Sequence, residues 1–235
     1  MQALSDYIHD NSFGAVELTW TVRFVRLPHP KSAYLSNGPL YGQMFLDAFD
    51  ALPWWIDPSD YLFHVIVSDV KSTPTSLGGG NGFAGGKVGV SDLAIHLLGH
   101  EFIHSLNVPH AKGRTLPCSA TGTCTPGGPA PFWDPVTEEQ HVDRSVLNIM
   151  GAAKTWGAGA HADVRVKNYV GWLDDEFIAT LDPNAPGVTG RTHVLELRQQ
   201  DDATPPQPGD VLAIRIPRDD TWDYWIEFRQ GISGD

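Results

Sequence analysis

The residues best suited to chemistry lie in Gly99-His100-Glu101-Phe102-Ile103-His104-Ser105-Leu106-Asn107-Val108-Pro109-His110. In a helix, His100 and His104 stand one turn apart on the same face, because residues four apart are neighbours at 3.6 residues per turn. Two imidazoles so placed can share one metal ion. Glu101 follows the first histidine and projects to the side, where a carboxylate can reach a water held by that metal without being a ligand itself. It stands as a general base. A third ligand would leave one tetrahedral position open for water, and the next helical turns cannot supply it, since eight residues span about 12 Å of helix axis. The chain must turn back. Asn107 tolerates the left-handed conformation common just past a helix end, while Pro109 cannot continue a helix and biases Val108 toward an extended backbone. The helix is therefore expected to end near Leu106, with His110 carried round toward the metal. His96 extends the stripe of histidines by one turn, but a pair formed by His96 and His100 would put Leu97 where the base belongs. His96 is read as a partly buried or hydrogen-bonded non-ligand.

The elements that must hold this segment follow from the hydrophobic pattern. Val16, Leu18, Trp20, Val22 and Phe24 alternate with polar residues, the period of a half-buried strand. From Leu40 to Leu52 apolar residues recur at spacings of three and four, predicting an amphipathic helix that starts after Asn37-Gly38-Pro39 and is stopped by Pro53. Tyr61 to Val67 is a short run rich in aromatic and β-branched residues, expected as a central strand. Strand, helix, strand opens an α+β sheet domain. Residues 74–90 are rich in glycine, and read either as an edge strand to which an extended peptide could add or as a mobile loop. Ser91 or Asp92 can cap the histidine helix. A long connection follows over 111–146. Ala162 to Leu173 predicts a closing helix ending near Gly171. Pro183, Pro186, Gly187 and Gly190 mark a linker, and strands are expected over 194–197, 211–216 and 224–228.

Composition sets the outer bounds. A chain of 235 residues with 41% hydrophobic side chains can bury a real core. No apolar run approaches the roughly 20 residues that span a bilayer, and residues 1–20 lack a basic segment followed by an apolar core. Neither a membrane partner nor a signal peptide is expected. A start without a signal and an end just past a strand fit a piece of a longer precursor. The formal net charge of -12 argues against nucleic acid, which needs clustered Lys and Arg. Cys118 and Cys124 lie close together in a polar loop. A disulfide between them would imply an oxidising compartment; free thiols or a second metal site are the competing readings, the latter incomplete with two cysteines.

The pattern HExxHxxNxxH, carried by His100, Glu101, His104, Asn107 and His110, resembles the zinc signature HExxHxxGxxH of the metzincin metallopeptidases, with Asn107 where the family usually has glycine. Ser12-Phe13-Gly14, Gly82-Phe83-Ala84-Gly85-Gly86, Gly171-Trp172-Leu173 and Tyr224-Trp225-Ile226-Glu227-Phe228-Arg229 are similar to the gametolysin and immune inhibitor A type of secreted peptidase within it. The resemblance implies a twisted mixed sheet with a zinc-site helix and a methionine-bearing turn, for which Met150 in Asn148-Ile149-Met150-Gly151 is the candidate. Ala152 occupies the position where some relatives place a tyrosine ligand, so no such ligand is expected. The division implied is a catalytic domain over 1–180 and a small β-rich C-terminal appendage over 181–235.

The resemblance also implies one catalytic Zn2+ on His100, His104 and His110, an extended protein or peptide substrate, and a secreted location; calcium is not indicated. Glu101 would take a proton from the attacking water and give it to the leaving amine, the chemistry of a zinc-dependent endopeptidase. Two alternatives stand beside it. One is a zinc-containing adhesion or binding module without proteolytic activity, working through Trp54, Trp55 or Trp222, although these tryptophans are expected in core or interdomain packing. The other is zinc hydrolysis of something other than peptides.

Overall fold

The computed structural model describes residues 1–34, 41–69, 80–83, 85–108, 150, 161–186, 194–199, 203–217 and 223–229. In chain order they form α1 (Gln2–Asn11), α2 (Tyr41–Asp50), β1 (His64–Val67), β2 (Gly80–Phe83), β3 (Lys87–Val90), α3 (Ile95–Ser105), α4 (Val164–Tyr169), β4 (Ile178–Thr180), β5 (Ala213–Pro217) and β6 (Asp223–Glu227). The described residues are mixed α+β, with two small three-stranded sheets. The chain divides into two compact units, Met1–Arg23 with His161–Asp235, and Phe24–Ala160. Among the described residues no helix is long and apolar enough to cross a membrane.

In the unit Phe24–Ala160 the strand order is β1-β3-β2, with β1 parallel and β2 antiparallel to β3. The expected helix over Leu40–Leu52 runs from Tyr41 to Asp50 and gives way to a turn just before Pro53. Its apolar face puts Met44 and Phe45 with Tyr34 in a buried cluster against Leu27, Phe49 and Ile66. The strand expected over Tyr61–Val67 is confined to its last four residues. The glycine-rich stretch carries β2 and β3, and α3 lies across both of them. Leu98, Phe102 and Ile103 are the buried apolar residues of α3, with the Phe102 ring 4.6 Å from that of Phe63. Asp92 holds the helix entrance: its Oδ1 accepts from the Ala94 N–H at 3.2 Å, and Ala94 itself occupies the cap position.

The other unit packs Phe13, Val164, Leu173, Phe177, Leu212 and Ala213 into one core, with Ile178 and Trp225 against it. Its sheet has the order β4-β5-β6, parallel then antiparallel. The closing helix forms as expected in place but shorter. Asp163 caps it through Oδ1, which accepts from the Val166 N–H at 2.7 Å. Its exit is closed by two backbone bonds, Trp172 N–H to the Lys167 carbonyl and Gly171 N–H to the Asn168 carbonyl, with Gly171 at φ 77°. That pairing is the Schellman arrangement, which places a left-handed residue just past the helix.

Several expectations are corrected. Val16–Phe24 is not a strand: it runs without turn or bend but makes no ladder among the described residues, and Trp20, Val22 and Phe24 are exposed. Alternation records which side chains share a face; it provides no hydrogen-bonding partner. Residues 194–197 likewise form no strand, and the nearest pairing is a single bridge between Gln199 and Phe228. Trp54 and Trp55 are not core residues but 91% and 66% exposed, one ring edge-on to the other, in the loop that Pro53 and Pro58 bracket after α2. Met150 is fully buried in a turn. Cys118, Cys124, Ala152 and Trp222 lie outside the described residues.

A Cβ at Gly171 would meet nothing within 4 Å, so only the left-handed backbone opposes a side chain there. Gly171→Ala is expected to lower stability by about 1 kcal/mol, read as a lower denaturant midpoint at unchanged m-value.

Candidate metal centre

The helix α3 brings His100 and His104 together as the spacing requires. Their ring centroids lie 4.6 Å apart with the planes nearly perpendicular, and His100 is buried at 5% exposure. The helix stops at Ser105, Leu106 follows as the C-cap, and Asn107 takes the left-handed conformation at φ 65°. That reversal returns the Val108 carbonyl to the helix it has just left. It lies 2.7 Å from His104 Nδ1. A carbonyl can only accept, so Nδ1 carries the proton in this contact and the neutral ring keeps its lone pair on Nε2. A backbone carbonyl on one ring nitrogen is how metal-binding imidazoles are commonly oriented and held in one tautomer.

Glu101 is buried at 6% exposure. Burial pushes its carboxyl up from 4.5 to about 7, and the smaller opposing effect is a hydrogen bond from the Gly82 backbone. Desolvation wins because one amide dipole replaces only part of the hydration a carboxylate loses. The partner is supplied by β2, which runs against α3 with no side chain at Gly82 to hold it off. A Cβ there would collide with the Glu101 carbonyl oxygen and the His104 Cβ. The strand also has an open edge, since it ends the order β1-β3-β2 among the described residues.

The donor set suits a borderline divalent ion such as zinc, which takes neutral imidazole nitrogen. Two of the three expected ligands, His100 and His104, are in place, and the third, His110, lies outside the described residues. Accordingly, no group of three possible ligand side chains occurs among the described residues. His96, one turn before His100, is half-buried. Two participants had no side-chain signal in the sequence. Val108 acts through its carbonyl, and Gly82 through the absence of a Cβ; only the density of glycines over residues 74–90 pointed toward the latter.

No protein-family model, curated protein or solved structure matches the chain.

The Glu101 shift gives the metal-free protein a pH dependence whose sign follows from proton linkage. Between 4.5 and about 7 the folded state holds a proton that the unfolded state has lost, so stability falls as pH rises through that window. The full cost above it is about 3 kcal/mol. Metal-free Glu101→Gln should lose much of this slope, measured as melting temperature against pH in the presence of a chelator. Gly82→Ala should destabilise the protein by about 1–3 kcal/mol by forcing β2 off α3, seen in denaturant unfolding.

Proposed function

We propose that the chain is a zinc-dependent endopeptidase of the metzincin type, similar to the gametolysin and immune inhibitor A peptidases. The observation that carries this reading is the His104 ring, pinned at Nδ1 by the Val108 carbonyl and set beside His100, on a helix that also carries the buried Glu101. His100, His104 and His110 would hold the ion. When bound, zinc supplies a Lewis acid for a substrate carbonyl and lowers the pKa of water toward neutrality.

The chain's own residues account for the proton traffic and the substrate's placement. A general base must sit within reach of the proton it takes, and Glu101, whose carboxyl burial pushes up in the metal-free chain, accepts a proton from the attacking water and delivers it to the leaving amine nitrogen. The Gly82 N–H fixes one side of that carboxylate. The open edge of β2, antiparallel to β3 and adjacent to the helix bearing Glu101, supports an extended peptide adding as a further strand. Backbone hydrogen bonds of that kind would hold many sequences alike.

The exposed pair Trp54 and Trp55 favours the alternative of a zinc-containing adhesion module. The two readings separate on casein: cleavage abolished by a chelator and restored by zinc supports the peptidase, and bound zinc without cleavage supports adhesion. Glu101→Gln should keep its zinc and lose about 100-fold or more in kcat, the scale of a missing general base; full activity would remove Glu101 from its role. His110→Ala should lower zinc content, and an unchanged content would place the third ligand elsewhere.

A further inference from the structure

The segment Glu17–Arg23 follows α1 after the turn over Ser12–Ala15, and itself runs with no turn or bend and no ladder partner among the described residues. Its backbone is nevertheless held on one side. The Val16 N–H donates to Ser12 Oγ at 3.0 Å, and Ser5 Oγ donates to the Leu18 carbonyl at 3.1 Å. In extended chain the N–H and C=O of one residue point the same way and those of the next point oppositely. Val16 and Leu18 thus turn their polar backbone toward α1. Continued in extended geometry, that alternation turns the backbone of Glu17, Thr19, Thr21 and Arg23 outward.

We infer that this outward edge pairs with the same edge of a second copy of the chain, as an antiparallel two-stranded junction with Trp20 on the two-fold axis. That register sets Glu17 opposite Arg23, Thr19 opposite Thr21, Leu18 opposite Val22 and Trp20 opposite Trp20. Its hydrogen-bonded pairs are Glu17 with Arg23 and Thr19 with Thr21, the residues whose backbone faces outward. Both Glu17–Arg23 pairs join opposite charges, and a two-fold contact must be self-complementary in this way. The other face gathers Leu18, Trp20 and Val22 from both copies; at present Trp20 is 38% and Val22 53% exposed. Cross-strand aromatic and β-branched pairs of this kind stabilise sheets. The net charge of -12 on each copy opposes association, but separated surface charges are largely screened beyond about 8 Å at physiological salt.

Sedimentation of the full chain over a range of concentrations at fixed physiological salt tests the junction. The native sequence should form dimers. Glu17→Lys, which sets lysine opposite Arg23 twice per dimer, should weaken association about tenfold or more, and Arg23→Glu added to it should restore the affinity. Glu17 and Arg23 are both exposed, so circular dichroism, and the melting temperature measured at concentrations where the chain is monomeric, should be unchanged in these variants. A monomer at every concentration, or a dimer indifferent to Glu17→Lys, overturns the inference. So does hydrogen exchange that finds the amides of Glu17, Thr19, Thr21 and Arg23 protected in a monomer, because the segment would then be paired within its own chain.

Discussion

The candidate site depends on how closely a strand backbone approaches a helix. At Gly82 the backbone of β2 comes within reach of the Glu101 carbonyl and the His104 side chain, a distance that any Cβ would forbid. From that approach follow the burial of Glu101, the amide that hydrogen-bonds its carboxylate and the position of a strand with an open edge against the helix that bears both histidines. Glycine in a strand weakens it, since the unfolded chain gives up more freedom and no side chain packs in return. β2 is accordingly short, and its stability rests on β3 along one edge and α3 across its face.

The second constraint is the end of the helix. Asn107 in the left-handed conformation accomplishes two things with a single change of backbone direction: it closes α3, and it aims the Val108 carbonyl at His104. Asparagine adopts that conformation at modest cost because its short polar side chain can hydrogen-bond locally. The same geometry at glycine would carry a larger entropic cost on folding, so asparagine serves the backbone at this helix end.

Helix α3 and its end were legible in the sequence because their causes are local. His100 and His104 are related by helical period alone, and Asn107 with Pro109 marks the stop within a few residues. Helix α1 has equally local causes, absent from the pattern above only because its apolar face is short: Leu4, Tyr7, Ile8 and Asn11 stand at helical spacings and are all buried. Strands fared worse. Glu17–Arg23 has the alternation of a strand and no ladder, whereas the three-residue β4 has almost no pattern and pairs with β5. A strand is defined by its partner, and the partner of β4 lies more than thirty residues away. Val108 and Gly82 were illegible for a different reason: a carbonyl belongs to every residue, and a close approach is visible only once two elements are in place.

Buried polar groups in the unit formed by Met1–Arg23 and His161–Asp235 show how such long-range partners are secured. Glu227 at the end of β6 spends one carboxylate oxygen on the Val164 N–H at the start of α4, at 2.9 Å, and the other on Arg229 Nε at 2.6 Å. Arg229 in turn donates to the His161 carbonyl, and Asn11 at the end of α1 accepts from the Ala162 N–H at 2.8 Å. Residues 161–164 are thereby tied to both ends of the sequence. His161 itself is held neutral, its pKa lowered to about 3 by burial first and then by the nearby Lys167 and Arg229 charges. Lys167 has its Nζ 4.2 Å from the centre of the Phe13 ring, where the face of an aromatic ring attracts a cation. A core of this size could be filled by apolar side chains at less desolvation cost. What polar groups add is direction, because a hydrogen bond is met only when its partner arrives from the correct side, and here that requirement joins α1, α4 and β6 across most of the chain's length.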